Sequence, residues 1–339
     1  MPIIVHAGCH RVSGSFAPAR PTLGPVVVDD GSEASALNPA QARVIELLGR
    51  GGERPAIPDG LADELREMLE EELAPLADHL DGAPLWISKH QLATVHACEA
   101  HFQASLADRF DWSPANARGV VSHRAIEIMT HWRGEPVPGE IVDETIARMT
   151  DETDRGGIGG YLAGLDEFDH ADLRGQAVER VTSFTECFPR LKPQWLPRTE
   201  AKVRAELLDG AIVLAGKVDL SLGKPGEKVI IDLKTGTPRA QHREDLRFYA
   251  LIETLSRGVP PRKLASYYLD AGSTHPEDVS EGVLRAAVRR TVDGVHRIVE
   301  IRAALRDPER APGPQCNWCA LLPECAEGQA SRARYDDEP

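Results

Sequence analysis

The chain has 339 residues, of which 42% are hydrophobic, and a formal net charge of −14. This length allows one large or two modest domains. The longest apolar runs fall far short of the roughly 18 residues that a membrane helix needs, and no secretory signal is evident, so we expect a cytoplasmic protein. The acidic charge excludes a broadly basic nucleic-acid binder but leaves local positive patches open.

The first 195 residues are predicted to be mainly helical. Residues 1–35 mix Ser, Gly and Pro without periodicity, which is typical of a poorly ordered leader. Residues 36–85 are predicted to form a helical N-terminal extension, and residues 86–195 a second helical region that carries Cys98 and His123. The sequence contains neither a phosphate-binding loop nor helicase motifs.

Residues 196–310 alternate between strand and helix patterns and predict the core of the fold. Two alternating segments flank Asp209-Gly210, a two-residue turn signal that predicts a β-hairpin. Four further elements follow, namely strands over 229–233 and 263–270 and helices over 242–256 and 281–305. The sequence thus predicts an α/β or α+β core, with a small mixed sheet flanked by helices.

Acidic residues are predicted to end two strands of this core. Asp219 is expected to end the second hairpin strand and Asp232 the next one, where Asp232 and Lys234 share a face. If these strands are neighbours, the three side chains converge and suit one or two hard divalent ions such as Mg²⁺. The simpler interpretation of an Asp-x-Lys pair is a structural ion pair.

Two motifs in this core resemble a known family. G-K-V-D at residues 216–219 and V-I-I-D-L-K-T-G at residues 229–236 are similar to the signature of the PD-(D/E)XK nuclease superfamily, in its RecB-like branch. That branch carries an upstream G-x-x-x-H-x-x-x-E pattern, matched here at residues 119–127. The resemblance implies a restriction-endonuclease-like core. It also implies a metal site and a catalytic lysine, with His123, Asp219, Asp232 and the Leu233 carbonyl as ligands and Lys234 as the lysine.

The helix after the lysine strand departs from the pattern of this branch. The branch usually places a glutamine four residues before a tyrosine, and D-L-R-F-Y at residues 245–249 keeps only the tyrosine. Tyr249 is therefore implied as a residue of the catalytic site, whereas Asp245 replaces the glutamine. We expect metal binding to survive this change and Asp245 to be free to pair with a cation.

The resemblance implies a Mg²⁺- or Mn²⁺-dependent deoxyribonuclease that acts in repair, recombination or defence. Single-stranded DNA ends are the expected substrate of such an exonuclease, and unwinding would require a helicase or repair partner. Arg243 and Arg247 lie four residues apart on the predicted helix and are the expected phosphate contacts. The alternative is a non-catalytic nucleic-acid-binding or assembly module that retains the nuclease fold.

Residues 311–339 are predicted to form a cysteine cluster and tail. Cys316, Cys319 and Cys325 have C-x2-C-x5-C spacing, which suits a soft metal but leaves one coordination position open. The helix over 88–102 is similar to one that supplies an early cysteine to a [4Fe-4S] cluster in some RecB-like nucleases, which implies Cys98 as the fourth ligand. Four thiolates also suit structural zinc, so the spacing alone leaves both metals open.

Overall fold

The computed structural model of the chain describes residues 37–336, except 81, 108–109, 133 and 152–156. The predicted leader over residues 1–35 lies outside the described residues. No helix within the described ranges combines the length and apolar character that spanning a membrane requires.

The N-terminal part of the described chain is helical, with one short strand, β1 (Leu85–Ile87). Two helix starts carry a capping box, in which Asn38 with Gln41, and Ser88 with Gln91, satisfy the first backbone N–H groups. The helices are α1 (Pro39–Leu48), α2 (Leu61–Leu73), α3 (Lys89–Ala97), α4 (Glu99–Ser105), α5 (Pro114–Thr130), α6 (Pro138–Asp151), α7 (Ile158–Ala163) and α8 (Glu167–Cys187).

The stretch 88–102 forms two helices rather than the single helix predicted. Cys98 has an extended backbone, with φ −168° and ψ 118°, and separates α3 from α4. The break leaves the Ala100 N–H free to donate to the Glu309 carbonyl at 3.1 Å. A segment from the C-terminal part of the chain therefore docks at the start of α4.

Within the described residues the sheet has six strands, which confirms the predicted mixed sheet flanked by helices. The strands after β1 are β2 (Arg198–Leu207), β3 (Ile212–Leu222), β4 (Val229–Lys234), β5 (Lys263–Tyr268) and β6 (Ser273–Asp278). Their order in the sheet is β1-β3-β4-β5-β6, with β2 paired to β3, and the β1–β3 and β4–β5 pairs are parallel.

Sequence patterns identified four of these strands and missed β1 and β6. The strand β1 has only three residues. The strand β6 reads S-T-H-P-E-D, without apolar alternation and with a proline that the sheet tolerates because β6 is an edge strand. The Asp209-Gly210 turn is present, with positive φ at both residues.

Two hydrophobic clusters cover the two faces of the sheet. The β4 strand contributes to both, since Ile230 packs in one cluster and Val229, Ile231 and Leu233 in the other. The remaining helices are α9 (Ala240–Arg257), α10 (Glu281–Arg302) and α11 (Ala326–Asp336). The first cluster includes residues of α2, α3, α9 and α10, and the second includes residues of α1 and α5–α8.

Replacement of Gly216 by alanine should destabilise the fold. A Cβ atom at Gly216 would lie 2.5 Å from Cε1 of Tyr249, whose hydroxyl donates a 2.7 Å hydrogen bond to the Lys217 carbonyl. We expect Gly216→Ala to cost about 1–3 kcal/mol of unfolding free energy, as overpacking typically does. Urea denaturation measures it. The matched control is Gly175→Ala on α8, where a Cβ meets no atom within 4 Å and should stabilise the helix. Equal losses in both variants would contradict this assignment.

Candidate active site

The candidate site lies in a gap along one edge of β3. Two residues of β3 each have a partner on both sides. Leu214 pairs with β1 and Leu220 with β4, and both also pair with β2. The strand β2 therefore lies along one edge of β3, and β1 and β4 lie along the other. Between them, residues 215–219 have no strand partner on that edge among the described strands. Lys89, just after β1, and Asp232, near the end of β4, contact each other at this gap.

Asp219 lies within β3, three residues before its end, and not at the end of the strand as predicted. The strand continues because Leu220 and Leu222 pair with Ile231 and Val229 of β4. The Asp219 Oδ2 accepts a 2.8 Å hydrogen bond from the Leu233 N–H, which brings the Leu233 backbone to the site. The predicted role of the Leu233 carbonyl stays a prediction.

His123 of α5 reaches the same carboxylate. Its Nδ1 lies 3.7 Å from Asp219 Oδ2. Burial raises the pKa of Asp219, His123 opposes this increase, and the Asp232 carboxylate adds to it. The sheet and α5 therefore place an imidazole nitrogen beside a carboxylate whose negative charge is disfavoured by its surroundings.

Asp232 is almost completely buried between two ammonium groups. Its Oδ1 lies 2.8 Å from Lys89 Nζ and its Oδ2 lies 2.6 Å from Lys234 Nζ, and the residue is 1% exposed. The Oδ2 contact lacks hydrogen-bond geometry. Burial acts to raise the pKa of Asp232, but the two lysines outweigh it and the pKa is lowered. The carboxylate is thus held as an anion by paired charges.

Asp245 takes a defined place in this charge cluster. Its Oδ2 lies 3.1 Å from Lys234 Nζ, so the residue that replaces the usual glutamine pairs with the candidate catalytic lysine. Burial acts to lower the pKa of Lys234, but Asp232 and Asp245 oppose this and the pKa is raised. Tyr249 lies beneath the site, with its ring centre 4.9 Å from Lys89 Nζ.

Three side chains form a candidate metal-binding group. His123, Glu200 and Asp219 each offer a ligand atom, and these atoms lie within 4.8 Å of one another. Glu200 has a left-handed backbone with φ +51°, which is uncommon for a residue with a side chain and is typical of functional positions. Its carboxylate also pairs with the Lys217 ammonium.

Glu200 is not among the predicted site residues, although the sequence carries a signal for it. The hairpin register pairs Thr199 with Leu220 and Ala201 with Val218, which puts Glu200 opposite Asp219. A two-residue turn at Asp209-Gly210 dictates this register. Lys89 was also missed, and no local pattern points to it because 143 residues separate it from Asp232.

The side chains present fit a hard divalent ion. Carboxylate oxygens and an imidazole nitrogen are ligands that Mg²⁺ and Mn²⁺ accept. The Asp232 Oδ2 atom pairs with the Lys234 ammonium without hydrogen-bond geometry, so it retains lone pairs for a further ligand bond. A cation would also relieve the unfavourable proximity of Asp219 and Asp232.

The two arginines expected to contact phosphate differ in their surroundings. Arg247 donates to Glu277 and Glu244 at 2.5–2.9 Å and its side chain is 19% exposed. Arg243 is 66% exposed and lies 3.9 Å from Glu277. Carboxylates therefore occupy the donors of Arg247, whereas Arg243 presents most of its side chain to solvent. Their predicted roles stay predictions.

The structure brings the four candidate cluster cysteines to one pocket, lined by Cys98, Cys316, Cys319 and Cys325 among other residues. Each sulfur receives a backbone N–H. The Ala311 N–H donates to Cys98 at 3.5 Å, and the Gly313 N–H donates to Cys316 at 3.4 Å. The Leu321 N–H donates to Cys319, and the Gly328 N–H donates to Cys325 at 3.4 Å. Burial raises the pKa of Cys319, and the other three thiols raise it further. Donors of this kind favour thiolates, the form that binds metal.

A buried glutamate fixes the C-terminal segment beside Cys98. Glu99 is 2% exposed, and its carboxylate accepts hydrogen bonds from Arg306 at 2.6 and 2.8 Å and from the Glu309 N–H at 2.8 Å. The Arg306 hydrogen bonds hold the pKa of Glu99 well below its ordinary value. This network joins α4 to the segment that leads into the cysteine pocket.

One protein family has a model that matches more than half of the chain. A family model described as the PD-(D/E)XK nuclease superfamily matches residues 87–326. A solved structure from Eubacterium rectale, named "putative exonuclease", is 14% identical, with a TM-score of 0.46, and the match covers 70% of this chain and 87% of that one. The structure of SSO0001 is also 14% identical, with a TM-score of 0.33 and coverages of 77% and 95%. No curated protein matches the chain.

Replacement of Glu200 by glutamine should weaken divalent-ion binding. The change keeps the shape of the side chain but removes one carboxylate from the group with His123 and Asp219. We expect Mn²⁺ affinity to fall by at least about 10- to 100-fold, the range typical of residues that only support a ligand. Calorimetric titration measures it. Glu206→Gln is the control, since Glu206 lies on the same strand and pairs with Arg204 at the surface. Equal affinities in the two variants would exclude Glu200 as a ligand.

Proposed function

Because the chain belongs to the PD-(D/E)XK nuclease superfamily, we propose that it is a RecB-like, metal-dependent deoxyribonuclease that hydrolyses phosphodiester bonds. The observation that carries the proposal is the convergence of four elements, α5, β2, β3 and β4, at one gap in the sheet. His123, Glu200 and Asp219 form the ligand group, and the Asp232–Lys234 pair lies beside it. A merely structural Asp-x-Lys pair would not require this neighbouring group.

His123, Glu200 and Asp219 would hold Mg²⁺ or Mn²⁺, with Asp232 as a further ligand. A divalent ion bound there would polarise a phosphoryl oxygen and lower the pKa of the attacking water. The Leu233 N–H and the His123 ring orient Asp219, because both lie against its Oδ2. These contacts hold the carboxylate in position before any substrate arrives.

Lys234 would stabilise the negative charge that develops on the phosphate. Asp232 and Asp245 hold its ammonium from two sides, so the group is fixed in direction and needs little reorganisation during the reaction. Asp245 thus takes over the support of the lysine at the position where related enzymes carry glutamine. Tyr249 supports the same region by its hydrogen bond to the Lys217 carbonyl.

The proposed substrate is DNA, with single-stranded ends preferred and exonucleolytic cleavage expected from the family resemblance. Arg243 lies in the first turn of α9 and is exposed, so its guanidinium is available for a phosphate contact. Arg247 would contribute less while Glu277 and Glu244 occupy its donors. A helicase or repair protein would supply unwound DNA.

The four cysteines would hold a [4Fe-4S] cluster. Four thiols at one pocket, each with a backbone N–H donor, support a bound metal cofactor there. Cys98 comes from the N-terminal helices and the other three from the C-terminal segment, so the cluster would tie the two ends of the nuclease region together. Its binding free energy would add to folding stability.

Replacement of Asp232 by alanine should abolish metal-dependent cleavage. The variant loses the carboxylate that fixes Lys234 and leaves two buried ammonium groups without their shared partner. We expect wild type to degrade a labelled single-stranded oligonucleotide with Mg²⁺ or Mn²⁺, and Asp232→Ala to be slower by about 100-fold or more. Gel-resolved products measure the rates. Asp278→Ala is the control, because Asp278 is a half-exposed carboxylate paired with Lys263 on the edge strand.

Three outcomes of this assay bear on the proposal. Cleavage by wild type but not by Asp232→Ala supports it. Equal cleavage by both proteins contradicts the assigned site. DNA binding by wild type without cleavage under either metal would instead favour the non-catalytic binding or assembly module.

Replacement of Cys316 by alanine should remove the cofactor and destabilise the protein more than it alters the chemistry at Asp232. We expect anaerobically purified wild type to be brown with about four irons per chain, the content of one [4Fe-4S] cluster, and Cys316→Ala to be colourless with a lower folded yield. Cys187→Ala is the control, since Cys187 is buried in α8 outside the cysteine pocket. A colourless wild type with about one zinc per chain would establish the zinc alternative.

A further inference from the structure

Lys89 is aimed at the catalytic carboxylates from outside the motifs that define the site. It is the first residue of α3, and its Nζ lies 2.8 Å from Asp232 Oδ1 and 4.9 Å from the centre of the Tyr249 ring. Its side chain is 27% exposed. The Asp232 carboxylate and the face of the Tyr249 ring hold the Lys89 ammonium inside the gap. There it pairs with Asp232 Oδ1, whereas Lys234 pairs with Oδ2.

The ligand atoms of the site divide into two sets. His123, Glu200 and Asp219 lie within 4.8 Å of one another and suit a single ion. Asp232 faces an ammonium group at each oxygen, Lys89 at Oδ1 and Lys234 at Oδ2. Two-metal sites use shared carboxylates to hold ions about 3.5–4 Å apart. Here the Lys89 ammonium already balances the carboxylate that a second ion would use.

Resting on the proposed function, we propose that Lys89 replaces a second divalent ion, so that the site binds one ion only. An ammonium group cannot coordinate water as a metal does, but it carries fixed positive charge and three hydrogen-bond donors. Its role is to keep Asp232 oriented and to balance the charge of that carboxylate. Lys89 is thus a positioning residue that sets the metal count.

The count of bound Mn²⁺ tests this role, because Mn²⁺ prefers oxygen and imidazole ligands and leaves the cysteines aside. We expect calorimetry to give one ion per chain for wild type and two for Lys89→Met, which keeps the length of the side chain without its charge. Electron paramagnetic resonance should show a coupled Mn²⁺ pair only in Lys89→Met. Lys89→Arg retains the charge and should still bind one ion.

Lys263→Met is the matched control, since Lys263 is a similarly buried lysine that pairs with Asp278 on the edge strand. It should leave the count at one. Two ions on wild type, or one ion on a folded Lys89→Met protein, would overturn the role of Lys89 and leave the proposed function standing. Circular dichroism establishes folding. If Lys89→Met does not fold, Lys89→Gln, which removes the charge but keeps a polar side chain, takes its place and should bind two ions. No ion on wild type would instead contradict the proposed function itself.

Discussion

The burial of Asp232 is the constraint on which the site depends. A carboxylate that is 1% exposed needs compensating charge, and the structure supplies Lys234 from the same strand and Lys89 from α3. The second lysine requires α3 to pack at the gap in β3. The helical N-terminal part of the described chain is therefore part of the site and not an appendage of the sheet.

The α3 helix also links the candidate active site to the cysteine pocket. It has nine residues, with Lys89 at its start and Cys98 directly after its end, so the two sites are separated by roughly 13 Å of helix. Close packing fixes this helix against α10. A Cβ at Gly294 would lie 2.5 Å from Leu92 Cδ2, and the His96 ring contacts the Arg290 carbonyl at 2.9 Å. A cofactor bound by the cysteines would therefore fix the C-terminal end of α3, the helix whose first residue is Lys89.

Local charge, and not the net charge of −14, decides what the site can bind. Four carboxylates, from Glu200, Asp219, Asp232 and Asp245, meet three lysine ammonium groups, from Lys89, Lys217 and Lys234, and the His123 ring. The carboxylates outnumber the ammonium groups, which favours a bound cation. An acidic cluster of this kind repels phosphate until a cation is bound, which couples metal binding to substrate binding.

The sequence by itself determined the hairpin and the buried β4 strand, because turn residues and alternating apolar positions act over a few residues. It suggested His123, Asp219, Asp232 and Lys234 as site residues only through the resemblance of their motifs, and the structure brings these side chains close together. The hairpin turn even fixed Glu200 opposite Asp219. Only the tertiary structure decided that Asp245 pairs with Lys234 and that Lys89 reaches Asp232 across 143 residues. It also decided that polar β6 and three-residue β1 join the sheet. These contacts depend on how distant segments pack, and local patterns carry no record of that packing.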